Sequence, residues 1–86
     1  MRIKPIHYTR HARSRMRQHR ISEESVVLTI GEPDQLLPGI RNRYNALKRM
    51  ANKIIRVTFV EEVDRIVVIT VSPRRHSQEE QNENRV

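Results

Sequence analysis

The chain has no cysteine and no tryptophan, and its 86 residues include only two tyrosines and one phenylalanine. Without cysteine there can be no disulfide and no thiolate metal ligand, a usage that fits a reducing cytoplasm. Three rings, Tyr8, Tyr44 and Phe59, are too few for the base-stacking platforms of single-strand binders. No apolar run exceeds the length of a strand, so no membrane span is expected. The first twenty residues hold no apolar stretch that reads as a signal peptide. Phosphate-binding glycine loops, dinucleotide fingerprints and nucleophile elbows are all missing. Four histidines without cysteine or paired carboxylates give no metal-ligand spacing. His7 and His11 are four apart but straddle an expected helix cap, so neither metal nor cofactor is expected.

Acidic residues are scarcest where basic ones are densest. Between Thr9 and Ile21 stand Arg10, Arg13, Arg15, Arg17, Arg20, His11 and His19, with no aspartate or glutamate. The whole chain sets 17 Lys and Arg against 10 Asp and Glu, a formal charge of +7. Most of the cations are arginine, whose planar fork grips phosphate in a way lysine cannot. The expected partner is therefore nucleic acid or an acidic protein. A membrane-surface helix is not expected, because Ala12 and Met16 supply too small an apolar face. Residues 76–86 are polar, without a core residue, and read as a disordered tail. Residues 1–75 then form one domain. A domain of this size buries a modest share of its surface, which makes a homodimer or a stabilising partner reasonable.

Residues 2–8 read as a short edge strand or extended arm, limited by Pro5. Thr9 is a suitable N-cap for a helix over about 10–20. Along it Ala12, Met16 and His19 form one stripe, with His11, Arg15 and Gln18 beside it. Ser22 caps a second helix with Glu23 and Glu24 in its first turn, where the helix dipole favours them. Val26, Val27 and Ile30 make its apolar side, Gly31 is expected to stop it, and Pro33 prevents resumption. A short strand at 34–37 turns at Pro38-Gly39. Residues 41–50 suit a strand, although their alanine, leucine and lysine also suit a helix. Residues 53–60 and 66–72 alternate as strands, with Pro73 ending the sheet. The expected fold is α+β, with both helices on one face of a small antiparallel sheet. The covered face would carry Ile55, Val57, Phe59, Val67, Ile69 and Val71. The other would gather Arg56, Thr58, Thr70 and Ser72, joined by Arg43 or Tyr44 according to register.

RNA cleavage by side chains needs a group to take the 2′-hydroxyl proton, cations for the phosphorane, and an acid for the leaving oxygen. His11 is the candidate general acid or base, because imidazole exchanges protons near neutral pH. Arg15 and Arg56 are candidate phosphate holders, and Thr70 a candidate donor or orienting group. Arg10, Arg13, Arg17, Arg20 and Arg43 are candidate nucleic-acid contacts. The plainer reading of the arginine run is a solvated helix face, and the absence of nearby acids speaks against it. His11 and Thr70 can meet only if the helix begins at the sheet edge, since helices should cover the face opposite Thr70. A DNA-reading helix-turn-helix is disfavoured by Glu23 and Glu24, which stand where base contacts would be.

The pattern His11-Ala12-x-x-Arg15-Met16, then Arg20-Ile21-Ser22 and Val26, then Val68-Ile69-Thr70-Val71, resembles a widespread bacterial domain family of unknown function. That family is grouped with the RelE-like and barnase–EndoU–colicin ribonuclease toxins. The resemblance spans about residues 8–72. It implies a toxin-like ribonuclease fold, a toxin–antitoxin setting with an acidic antitoxin, and interest in His11, Arg15 and Thr70. Family members commonly carry glycine after the position of Arg20, whereas Ile21 follows here. A non-catalytic nucleic-acid-binding module and a basic protein-interaction domain are the alternatives.

Overall fold

Two hydroxyl side chains begin the helices in the computed structural model, which describes residues 4–75. Thr9 Oγ1 accepts from the Ala12 N–H at 3.1 Å and starts α1 (Arg10–His19). Ser22 Oγ accepts from the Ser25 N–H at 3.1 Å and starts α2 (Glu23–Gly31). Each cap satisfies a donor that the first helical turn leaves without a partner. Between the helices Arg20 takes a left-handed conformation, φ 56°, and the Ile21 N–H closes onto Met16 O at 2.9 Å. Gly31 does not stop α2 in the expected way. It is the last helical residue, no glycine has positive φ, and the Glu32 N–H still bonds Leu28 O at 2.8 Å. The stop belongs to Pro33, whose ring cannot continue the helix.

The strands are β1 (Ile6–Tyr8), β2 (Gln35–Pro38), β3 (Arg43–Met50), β4 (Lys53–Glu61) and β5 (Ile66–Arg75), in the order β1-β5-β4-β3-β2. β2 to β5 form an antiparallel meander. β1 joins β5 in parallel, so the sheet is mixed rather than wholly antiparallel. These two strands are separated by most of the chain, and no hairpin forces their direction. β5 also runs through Pro73 to Arg75, past the expected end. β1 pairs only as far as Val68, so later in β5 one side has no strand neighbour. A proline is tolerated where its missing donor would face such an edge.

β4 and β5 slip register once. Thr58 pairs with Thr70 but Phe59 pairs with Val68, which leaves Ile69 as an extra, bulged residue. The slip changes which side chains face the helices. Ile66 and Val68 before it, and Val71 after it, are buried, joining Ile55, Val57, Phe59 and Ala46 in one core with Tyr8, Ala12, Met16, Ile21 and Val26. Val67 and Ile69 are only half-buried, contrary to the face expected for them. On α2, Val26 and Thr29 turn inward, whereas Val27 is 41% exposed; Thr29 tolerates burial because its hydroxyl donates to Ser25 O at 2.8 Å. Val26, Val57, Val68 and Val71 are fully buried, each contributing about 1.5–3 kcal/mol of transfer free energy. Both helices thus cover one face and leave the other without a helix.

Candidate functional site

The helix-free face follows from the pairing register. Its rows across β3, β4 and β5 are Arg43–Val60–Val67, Asn45–Thr58–Thr70, Leu47–Arg56–Ser72 and Arg49–Ile54–Arg74. The register brings in Arg43, while Tyr44 stays on the helix side and stacks on Phe59 with ring centroids 5.8 Å apart. Four arginines and three hydroxyls share this face, and none of its sheet positions is acidic. Thr58 Oγ1 donates to Asn45 Oδ1 at 2.6 Å. Thr70 and Ser72 stand beside that pair. Arg56 is diagonal to Thr70, Arg49 and Arg74, within reach of long side chains on one face.

Thr9 brings α1 to this face. Its N–H donates to Val68 O at 3.2 Å and its hydroxyl donates to Ile69 O at 3.1 Å. The helix therefore begins at the bulge, one residue from Thr70, on the side of β5 that lacks a strand. This is the edge placement that His11 needs. The buried stripe Ala12–Met16 divides the remaining residues of α1 into two flanks. Arg13, Arg17 and Arg20 lie on the α2 side and line a groove of about 400 Å³ with Ser22 and Glu23. His11, Arg15, Gln18 and His19 lie on the opposite flank of the helix.

Partners separate the arginines further. Arg13 pairs with Glu23 at 3.2 Å and sits 4.9 Å above the Tyr8 ring, so an acid does balance part of the run. Burial pushes the Tyr8 phenol up, Glu23 adds to the rise, and Arg13 opposes it. Arg10, Arg17, Arg20, Arg43 and Arg56 have no ion pair among the described residues. Arg15 reaches Gln18 Oε1 from Nη1 at 3.4 Å. Among the described residues three buried nitrogens have no hydrogen-bond partner: Arg15 Nε, His19 Nε2 and Arg56 Nε. A buried donor without an acceptor costs about 1–3 kcal/mol, so such atoms concentrate where structure is shaped for something other than stability.

Thr70 and Arg56 thus share the helix-free face, and His11 and Arg15 share one flank of α1, whose cap Thr9 is tied to β5 beside Thr70. Arg43 lies two strands across on β3, in the row that ends at Val67. Arg13, Arg17 and Arg20 are turned toward the helix corner, while Arg10 is exposed on the outer side of α1. Arg49, Asn45 and Arg74 were not among the residues singled out by sequence. A strict alternation from Arg43 would have included Asn45 and Arg49, and Arg74 lies past the proline taken as the end of the sheet. No group of three or more His, Cys, Asp or Glu among the described residues could hold a metal ion. No described helix is long and apolar enough to cross a membrane.

Residues 8–73 match the family described as Domain of unknown function (DUF4258). The chain belongs to this family. The match begins at Tyr8 and ends at Pro73, so the DUF4258 domain contains α1, the bulge and all of the arginine face but Arg74. No curated protein matches the chain, and no solved structure does.

Proposed function

We propose that this DUF4258 domain is a toxin-like RNA-binding protein that cleaves RNA where α1 borders β5. We further propose kinship with the RelE-like and barnase–EndoU–colicin ribonuclease toxins, and an acidic antitoxin as the protein partner in the cytoplasm. One observation carries the reading: an acid-free face of arginines and hydroxyls whose border holds the helix start bearing His11. The phosphate backbone lies along that face, attracted by Arg43, Arg49 and Arg56. The absence of an aromatic ring there favours reading phosphate and shape over stacked bases.

In the reaction, the ribose 2′-oxygen attacks the adjacent phosphorus and the bond to the 5′-oxygen breaks, giving a 2′,3′-cyclic phosphate and a 5′-hydroxyl. His11 either takes the 2′ proton or gives one to the leaving oxygen, and solvent water makes the other transfer. Arg15 and Arg56 hold the non-bridging oxygens as charge grows on them, and Thr70 donates a hydrogen bond to the same group. Nothing in this scheme routes a step through a metal.

The second reading, a non-catalytic nucleic-acid-binding module, is favoured by one observation. His11 is exposed and makes no hydrogen bond among the described residues, so no neighbour orients its ring. Purified protein incubated with RNA, with and without chelator, separates the two readings. His11→Ala should reduce cleavage by about a hundredfold or more while RNA affinity changes little. Cleavage unchanged in a nuclease-clean preparation of that variant removes His11 from the mechanism. Binding without any cleavage by the parent chain selects the second reading.

A further inference from the structure

We propose that β2 is the seam of a two-fold dimer in which a second copy of this chain extends the sheet. All four residues of β2 are exposed, and its two leucines point to opposite faces, Leu36 at 51% and Leu37 at 46% exposure. Leucine on both sides is the composition of an interior strand. On a free edge it is a liability that proteins normally remove.

The phase of the ladder shows what the edge offers. The Gly39 N–H donates to Arg43 O at 2.7 Å. Counting back by twos, Leu37 and Gln35 turn their backbone groups to β3, and Leu36 and Pro38 turn theirs outward. A two-fold axis at Leu36 lets the two copies exchange the Leu36 N–H and C=O as one closely bonded pair. Pro38 then falls opposite Asp34 of the second copy. Pro38 has no N–H to orphan, and the Asp34 N–H is already donated to Leu47 O at 2.8 Å. The proline that would blunt a longer pairing costs nothing in this one.

Charge selects the second copy as occupant and sets its direction. β2 is preceded by Glu32 and Asp34 and followed by Arg41 and Arg43. Antiparallel pairing lays the acidic end of each copy beside the basic end of the other, at both ends of the seam. Parallel pairing would set like beside like. The Leu36 side chains meet across the axis on the helix side, and Leu37 from each copy covers the seam on the other. The result is one ten-stranded sheet whose helix-free faces are continuous, with Arg43 and Arg49 of both copies flanking the joint. A polyanion bridging that joint is a further consequence, and it alone rests on the RNA-binding reading.

The test uses the full chain without nucleic acid, at moderate salt, in sedimentation runs from low to high micromolar concentration. The parent chain should self-associate. Leu36→Lys and Leu36→Glu should each keep the parent circular dichroism spectrum and dimerise about tenfold or more weakly, because like charges then face each other across the axis. An equimolar mixture of the two should regain the dimer. In the parent chain the Leu36 amide should also gain protection from hydrogen exchange as concentration rises, a readout that needs no variant. A parent chain that stays monomeric, variants that dimerise normally, or variants that separate and do not recombine would each overturn the proposal. Because RNA is absent throughout, these outcomes leave the reading of the arginine face untouched.

Discussion

A single tyrosine supplies a pH dependence whose sign can be derived. Tyr8 is buried against the core with Glu23 nearby, and both effects raise its pKa above the ordinary 10.0, with Arg13 opposing. Below that ordinary value the phenol is neutral in folded and unfolded chains alike, and its contribution to stability is fully present. As pH rises above it, the unfolded chain ionises first, so stability is lost until the folded value is passed. The urea midpoint of the parent chain should therefore fall more steeply than that of Tyr8→Phe between about pH 9 and about pH 11. Parallel curves would mean that the phenol ionises equally well in both states. Arg13 shows the limit of counting charges along a helix. Its cation is already engaged by a carboxylate and a ring, whereas Arg56, isolated in sequence, has a buried nitrogen without a partner among the described residues.

At the scale of elements, Thr9 joins α1 to the sheet. Its hydroxyl accepts from the helix and donates to β5, so one atom caps and tethers at once. Thr9→Ala should cost about 1–2 kcal/mol in urea unfolding followed by circular dichroism, and Thr9→Ser should recover most of it. An alanine variant of parent stability would show that neither bond matters. Both caps were legible because a hydroxyl ahead of an apolar-periodic run is local chemistry. Strands 53–60 and 66–72 were legible from their alternation. The bulge was not, because Ile66 to Ile69 are all apolar and satisfy either face. Nor was the direction of β1, which depends on a partner some sixty residues away. Pro73 misled because only the sheet order shows that its missing donor has no ladder to interrupt.

For the whole molecule, the helix-free face is what charge distribution acts through. Acids cluster at Glu61, Glu62 and Asp64, where Glu61 and Glu62 are paired with Lys4 and Arg65, and at the ends of α2. On the arginine face, Arg43 and Arg56 have no ion pair among the described residues. RNA affinity should fall with rising salt, and Arg43→Ala and Arg56→Ala should each flatten the log–log slope by about 0.7. Glu62→Gln, at the acidic tip, should leave the slope unchanged. Equal slopes for parent and arginine variants, measured by fluorescence anisotropy, would exclude this face as the contact surface. The elements of the site were legible as residue types, but their placement was not, since Thr9 is tied to β5 at the bulge, which only the register reveals. That extra residue gives β5 two opposite parities. Even-numbered Ile66 and Val68 look toward the helices, and then odd-numbered Val71 does. Deleting Ile69 would leave an unbroken ladder, since Thr58 already pairs with Thr70 and Phe59 with Val68. It would also remove the carbonyl on which Thr9 rests. The irregularity in the strand is thus the alignment pin of the helix: a sequence tidied into perfect alternation would keep its sheet and lose its aim.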